Sequence, residues 1–555
     1  MKAHNMEIDK NMPCELSDGT VLQSDVYRPA EAGEYPVLML RLPYNKEARR
    51  YYDEYLEVPR MVEAGYVVIL QDVRGRYASG GEFYPFVHEG KDGFEAVEWA
   101  ARLPFSNGKV GLFGMSYHGY TQLAAAVEQP PSLKAIAPVM TMADPWGDIL
   151  GTGSAPHAIG KFETWVLGSI VEDQLKRRNL LDKVQLNNYL EHLTEYMHEA
   201  PANQWSPMKN LDPGSFFFDI MQGRLDNQLV ERLQLKEQLS HVDIPALFMG
   251  GWFDALLSPT LQAYEAYQGD KMLWIGPWTH EQMTGQAGAE FFAGAAKNIG
   301  ADQIADPTEV HIQWFDKWLK DKPLSIQKPV QLYLMGQQRW VAYDEFPNVE
   351  QQKFFLESRG KSQTNAGDGE LVSKPSSKVT ESSLTLDPYH PVPTSGGGSL
   401  IAGVESGIFD ISNLHERDDV LVYTTKPISG DIQLLGTLKA EIWCSSPTSL
   451  CDISLRISHV DPSGRAWVLM YSFHREKVVD NHPFCLLADI GTTAYKLSKG
   501  HRLRLDIAAS NAPLYDINLN NGKTTKTHTE GYVANETIYH GGKMSSKIIV
   551  PCTTI

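Results

Sequence analysis

The sequence predicts an α/β core built on a mostly parallel sheet, with a helical cap inserted into it and an all-β domain of jelly-roll type at the C-terminal end. Three observations lead there. Short apolar runs (residues 36–42, 66–72, 110–113) alternate with helical stretches, the signature of strands joined through crossover helices. The alternation stops between residues 144 and 240, where helical, polar and irregular segments contain no buried strand. Beyond residue 347 the chain becomes a series of short alternating runs separated by turn signals such as Asp461-Pro-Ser-Gly464 and Asn520-Asn-Gly522. A chain of 555 residues is also too long for one core. The expected units are residues 1–143 and 241–346 for the core, 144–240 for the cap and 347–555 for the β-domain.

In chain order, residues 6–16 and 21–27 read as strands joined by the turn at Asp18-Gly19-Thr20, and 36–42 as a buried strand ending at Pro43-Tyr44. Residues 51–64 read as a helix closed by Gly65, and 66–72 as the next buried strand. The loop Val73 to Gly81 is rich in glycine but lacks the G-K-[ST] ending of a phosphate loop. A helix over 90–103 follows, then strands at 133–139, 244–250 and 271–276, with helices over 258–268 and 309–320. Trp314, Phe315 and Trp318 at helical spacing suit core packing rather than a cofactor box. Segments 360–383 and 391–399 are loop-like, and alternating strands are expected at 434–442, 452–460, 467–473 and 501–510.

Composition excludes several classes. A net charge of −18 opposes binding to nucleic acid and to anionic membranes. No apolar run approaches the ~20 residues a membrane span needs, and the first ten residues show no signal-peptide pattern, so the expectation is cytoplasmic. Five scattered Cys with no C-x-x-C pair suit a reducing compartment, and a clip between Cys444 and Cys451 is not expected. No metal or cofactor motif is present, so neither is expected.

The chemistry concentrates in Gly114-Met-Ser116-Tyr117-His118-Gly119. An apolar strand (Val110, Leu112, Phe113), a glycine-flanked turn and an Ala-rich helix make a nucleophile elbow, which holds a Ser hydroxyl above a sheet at a helix N-terminus. The second glycine stands one position later than in G-x-S-x-G, with His118 in its place. Asp254 follows the strand at 244–250 and His280 follows the strand at 271–276, giving the order Ser, Asp, His of an α/β-hydrolase. Such a triad needs His280 to take the Ser116 proton and Asp254 to fix the imidazole tautomer. Asp72 also follows a strand but precedes Ser116, and His118 reads as packing beside the elbow.

These motifs together resemble the cocaine-esterase and X-Pro dipeptidyl-peptidase group of serine hydrolases, the CocE/NonD family. Its patterns stand here as Pro43-Tyr44, Asp72-Val-Arg74-Gly75-Arg-Tyr-Ala-Ser79-Gly-Gly81, Gly114-Met-Ser116-Tyr117-His-Gly119, Gly251-Trp252-Phe-Asp254, Pro277-Trp-Thr-His280 and Asp387-Pro-Tyr-His-Pro-Val-Pro-Thr-Ser-Gly-Gly397. The resemblance covers almost the whole chain. It implies an α/β-hydrolase core, a helical cap, a C-terminal jelly roll, and an oxyanion hole formed by the Tyr44 hydroxyl and the Tyr117 backbone N–H.

Members of that group that hydrolyse α-amino-acid esters carry acids two and three positions after the triad Asp; here Leu256 and Leu257 stand there. An ammonium buried without a counter-charge is costly. Unless Asp144, Asp148 or Glu163 of the cap supply one, the expected acyl group is uncharged or apolar, in a pocket of Trp146, Trp165, Leu256 and Phe409. The expected activity is a serine esterase acting through an acyl-enzyme on a small-molecule ester. The alternatives are an X-Pro dipeptidyl peptidase or α-amino-acid ester hydrolase, and a non-enzymatic jelly-roll binding protein. A homodimer is the one macromolecular partnership expected.

Overall fold

A computed structural model describes residues 6–150, 158–197, 199, 201–295, 306–326, 328–479, 481–522 and 528–554. The apolar runs of the first 343 residues form one sheet of ten strands. In chain order these are β1 (Met6–Glu15), β2 (Val21–Pro29), β3 (Tyr35–Leu42), β4 (Val67–Asp72), β5 (Ser106–Met115), β6 (Leu133–Val139), β7 (Ala246–Phe253) and β8 (Lys271–Thr279). A small two-stranded sheet, β9 (Gln286–Ala287) with β10 (Glu290–Phe291), precedes the last two, β11 (Val330–Leu334) and β12 (Arg339–Tyr343). Their spatial order is β1-β2-β4-β3-β5-β6-β7-β8-β11-β12. Strands β3 to β8 run parallel, and β4 and β7 are buried at every position, as a sheet covered on both faces requires.

The helix Pro307–Lys320 packs under this sheet. Trp314 and Phe315 are fully buried, and Trp314 Nε1 donates to the Ile136 carbonyl on β6 at 3.0 Å. The aromatic spacing is therefore core packing. Two local expectations are corrected. The helix expected over 51–64 is an α-helix only at Val58–Glu63, preceded by a single turn at Arg49–Tyr51. Pro59 stands in its first turn; a helix running through it would lose an N–H bond and push the ring against a carbonyl four residues back. The hairpin β11–β12, absent from the sequence reading, extends the sheet, and Trp252 Nε1 on β7 donates to the Tyr333 carbonyl at 2.8 Å.

Between β6 and β7 the described chain is helical, from Pro145–Leu150 through Ile159–Trp165 to Asn227–Leu233. Beyond β12 the chain is all β: β13 (Gln351–Glu357), β14 (Glu370–Val372), β15 (Thr380–Leu386), β16 (Val420–Thr424), β17 (Ile432–Ser445), β18 (Leu450–Val460), β19 (Ala466–Lys477), β20 (Phe484–Leu497), β21 (Arg502–Ala508), β22 (Ala534–His540) and β23 (Lys547–Thr554). A group containing β15, β22, β17, β20, β23, β13 and β14 meets a second group of β16, β21, β18 and β19 through one register pair, Glu370 with Thr424. That pair joins the two groups into one continuous ladder. All five Cys are free thiols. Among the described residues no helix is long and apolar enough to cross a membrane.

Candidate active site

Ser116 is the first residue beyond β5 and the N-cap of the helix Tyr117–Val127. Its backbone lies at φ 59°, ψ −125°, a conformation that costs a non-glycine residue on the order of 1–3 kcal/mol and persists only where the surroundings enforce it. The surroundings here are specific. The Ser116 N–H is held by the carbonyls of Val139 and Met140, and the Thr141 hydroxyl donates to the Ser116 carbonyl at 2.9 Å. A Cβ on Gly119 would stand 2.4 Å from the Thr141 Cβ, so the late glycine of the elbow lets the helix approach this clamp. His118 is buried, and its Nδ1 accepts the Met115 N–H at 3.1 Å. Burial pushes its pKa down to about 3, so it stays neutral and braces the turn from below.

Asp254 is the first residue beyond β7, and His280 the first beyond β8. Both are buried, and the His280 Nδ1–H donates to Asp254 Oδ1 at 2.7 Å. The sheet order β5-β6-β7-β8 brings the three strand ends side by side, which residues 116, 254 and 280 do not suggest by their spacing alone. With Nδ1 engaged, the other ring nitrogen of His280 is left for the cavity that His280 and Ser116 both line. That cavity measures about 320 Å³.

Tyr44 enters the cavity from the end of β3, the neighbour of β5. Its hydroxyl oxygen accepts the Trp165 indole N–H at 2.8 Å, and its ring stands edge-on to His118. Burial raises its pKa well above the ordinary phenol value, so the hydroxyl keeps its proton. With its oxygen accepting from Trp165, it can donate into the cavity. Arg76, from the glycine-rich loop, fixes the strand end. It is fully buried, donates to the Pro43 carbonyl at 2.8 Å and the Ile170 carbonyl at 2.9 Å, and pairs with Asp173 at 3.5 Å. One guanidinium thus ties Tyr44 to the cap. Tyr117 turns its side chain away from the cavity: its hydroxyl donates to Glu89 Oε1 and accepts the Phe86 N–H, both at 2.8 Å. As the first helical residue, Tyr117 has a backbone N–H with no partner within the helix.

Of the four expected pocket residues, Trp165 lines this cavity. The others are corrected. Trp146 is buried edge-on against the Phe86 ring, Leu256 is buried at the start of the helix Leu257–Ala266, and Phe409 packs beside Ile411, Leu414 and Val468 of the β-domain. Trp146 and Leu256 are thus held inside the core, and Phe409 is partly buried on a separate cluster. Asp72 staples the loop after β3, accepting the Lys46 N–H at 2.8 Å, and burial raises its pKa to about 6. The cap acids do not reach the cavity lining: Glu163 borders a separate hollow with Glu199 and Pro513, and Asp148 accepts the Asp144 N–H. Lys161, Arg50, Glu281, Tyr51 and Tyr77 do line it, and none of them was among the expected pocket residues. Arg50, Tyr51, Tyr77 and Glu281 come from loops of the core, and Lys161 is brought in by the docking of the cap. Among the described residues no cluster of His, Cys, Asp or Glu could hold a metal ion.

Residues 18–282 match the model of the X-Pro dipeptidyl-peptidase (S15) family, and residues 326–549 match that family's C-terminal non-catalytic domain. Cocaine esterase of Rhodococcus sp. (strain MB1 Bresler) is 30% identical over 572 residues, covering 99% of each chain. The chain belongs to the CocE/NonD family of serine hydrolases. It is accordingly a serine ester hydrolase. The fold agrees: an α-amino acid ester hydrolase superposes with a TM-score of 0.81 at 19% identity, covering 99% of this chain and 97% of that one. A CocE/NonD family hydrolase from Staphylococcus aureus gives 0.69 at 17%, covering 99% and 94%. Within this family frame the ten-stranded sheet is the α/β-hydrolase core, and the all-β region is the family's C-terminal domain.

Proposed function

We propose that this chain cleaves carboxylic esters through an acyl-enzyme on Ser116, with His280 as base and Asp254 as its orienting acid. The observation that carries this reading is the 2.7 Å contact between His280 and Asp254, on two strand ends beside the strained Ser116 turn. Ser116 Oγ attacks the ester carbonyl carbon while His280 takes its proton. The imidazolium that forms is stabilised by Asp254. The carbonyl oxygen becomes an alkoxide, and the Tyr44 hydroxyl and the Tyr117 backbone N–H donate to it. His280 then returns the proton to the departing alcohol. Water repeats the sequence on the acyl-enzyme and releases the acid.

The acyl group is one without an α-amine. Leu256 and Leu257 offer no counter-charge, and the one carboxylate in the cavity lining outside the triad, Glu281, already faces Arg50 at 3.5 Å. A substrate ammonium would meet Lys161 instead. This disfavours an X-Pro dipeptidyl peptidase, which must hold an N-terminal amine.

The test is a fluorophosphonate probe on the parent and on Ser116→Ala, with nitrophenyl esters run beside Gly-Pro-nitroanilide. The parent is expected to label and to cleave the esters, and Ser116→Ala to do neither while keeping its melting temperature. Ester turnover by Ser116→Ala within tenfold of the parent would sink the assignment. Faster cleavage of phenylglycine methyl ester than of phenylacetate methyl ester would overturn the acyl preference.

A further inference from the structure

The cavity above Ser116 contains a positive charge that ester hydrolysis does not use. Lys161 projects from the cap helix Ile159–Trp165 and lines both this cavity and an adjoining one bordered by Asp254, Leu257, Leu469 and Leu514. Its ammonium has three donors, and among the described residues the one hydrogen bond it makes is a long one, 3.4 Å to the Asp148 carbonyl. Among the described residues no carboxylate lies within ion-pair distance of it. Arg50 and Glu281, the other charged side chains of the lining outside the triad, answer each other.

Two acids act on Lys161 through space without touching it. Asp254 is engaged by His280. Asp148 accepts the Asp144 N–H, and burial raises its pKa to about 7, so it carries only part of a charge at neutral pH. Burial meanwhile pushes the Lys161 pKa below its ordinary value, the mark of a desolvated cation short of negative charge. A carboxylate brought by the substrate would relieve that cost.

The place of such a carboxylate follows from the two cavities. The ester carbonyl has to sit at Ser116, and Lys161 stands where the first cavity meets the second, whose wall includes Leu257, Leu469 and Leu514. The second cavity also carries Glu265 and Asp489, so a substrate carboxylate is best held at the junction itself, where a short methylene chain on the carbonyl carbon can end beside the ammonium. Resting on the ester-hydrolase reading above, we infer that Lys161 selects the acyl group and that the preferred substrates are hemiesters of short dicarboxylic acids, with the free carboxylate on Lys161. The charge repels an α-ammonium and attracts an acyl carboxylate, so one residue sets both sides of the choice.

Monomethyl glutarate and methyl valerate share a chain length and differ in the terminal group, carboxylate against methyl. Their hydrolysis by the parent, Lys161→Met and Lys161→Arg is followed by pH-stat, beside 3-acetoxypropanoate, which carries its carboxylate on the alcohol side. Fluorophosphonate labelling of Ser116 checks that each variant is folded. A charge-assisted contact is worth roughly tenfold to a hundredfold. The parent is therefore expected to favour glutarate over valerate in kcat/KM by about that factor. Lys161→Met should lower the ratio by a similar factor, and Lys161→Arg should retain most of it. If Lys161 only supports the Asp254 charge, Lys161→Met slows both esters together and the ratio stands, which overturns the inference. A parent that labels and cleaves methyl valerate without preferring glutarate also overturns it, leaving the esterase reading intact. A preference for 3-acetoxypropanoate would place the anion on the wrong side of the ester and overturn it as well. Failure of the parent to label removes both readings.

Discussion

An alkoxide forming at Ser116 needs donors aimed at it before the charge appears, and in the proposed mechanism Tyr44 is one of them, set by its neighbours rather than by itself. Burial keeps its proton on, and the Trp165 indole occupies its oxygen from the cap side. Loss of one oxyanion donor typically costs about 10²–10³ in kcat. Tyr44→Phe should show that loss with little change in KM, since the contact strengthens mainly in the transition state; a kcat within threefold of the parent would remove Tyr44 from the oxyanion hole. Tyr117→Phe should behave differently. Its hydroxyl bridges Glu89 and the Phe86 N–H, so the variant should lower the melting temperature while kcat falls by less than tenfold. Trp165→Phe keeps an aromatic ring and removes the donor to Tyr44, and should lower kcat more than KM. At this scale the chain order of Ser116, Asp254 and His280 was legible because each is the first residue past an apolar strand. Trp146 and Trp165 could not be told apart by sequence. Nineteen positions separate them on a helical cap, and only its docking decides which indole meets the cavity and which meets Phe86.

The acid loop after β7 is shaped from outside its own domain. Gly398, just past the Asp387-to-Gly397 motif, lies so close that an added Cβ would stand 2.9 Å from the Asp254 carbonyl oxygen. The Tyr471 hydroxyl, from β19, donates to the Gly398 carbonyl at 2.9 Å and holds the strap down. Gly398→Ala should therefore displace the backbone that carries Asp254, although residue 398 does not line the Ser116 cavity. Overpacking of this kind costs about 1–3 kcal/mol, and an error of ~1 Å in a catalytic group can cost 10²-fold. The expected result is at least a tenfold fall in kcat, with Gly430→Ala, whose Cβ would meet nothing within 4 Å, left at parental activity. Equal kcat in the two variants would mean that the strap does not position the acid. The motif itself was visible in the sequence, but its target was not, because residues 254 and 398 meet only through the docking of β-domain on core. The strands of the parallel sheet were readable as unbroken apolar runs. The helix over 51–64 was misread because its apolar spacing outweighed Pro59, whose ring sets where a helix begins.

Across the whole molecule the buried titratable groups oppose one another, and the balance fixes the response to acid. His118 is held at about 3, and His311, His459, His474 and His540 at about 4, all by burial. A histidine with a depressed pKa contributes stability above its unfolded value of ~6.5, and that contribution is lost as the pH falls toward the folded value, at up to about 1.4 kcal/mol per pH unit. Buried acids work in the other direction, Asp452 among them. Asp72 is raised to about 6 and Asp148 to about 7, and Glu89, Glu163 and Glu536 are also raised, again by burial. An acid with a raised pKa takes up its proton in the folded state first, so it favours folding as the pH falls toward its unfolded value of ~4. Between roughly pH 6.5 and 4.5 the unfolded chain gains protons on these histidines, and on His88, while the native chain gains or holds them on the buried acids. The difference in bound protons, which sets the slope, is then small. Below ~4 the compensation ends, because acids whose pKa is lowered by partners begin to protonate: Asp316 by Lys320 and Lys322, and Glu172 by Lys183 and Lys176. Thermal melting against pH should accordingly show a plateau from about 6.5 to 4.5 and a fall below it. Glu163→Gln with Glu536→Gln removes two of the balancing acids without adding charge. That double variant should be more stable than the parent at pH 8, where the parent's buried carboxyls tend to ionise. It should also lose stability on acidification to pH 5 while the parent does not. A steep decline in the parent between pH 6.5 and 5, or parallel curves for the two proteins, would show that the acids do not balance the histidines.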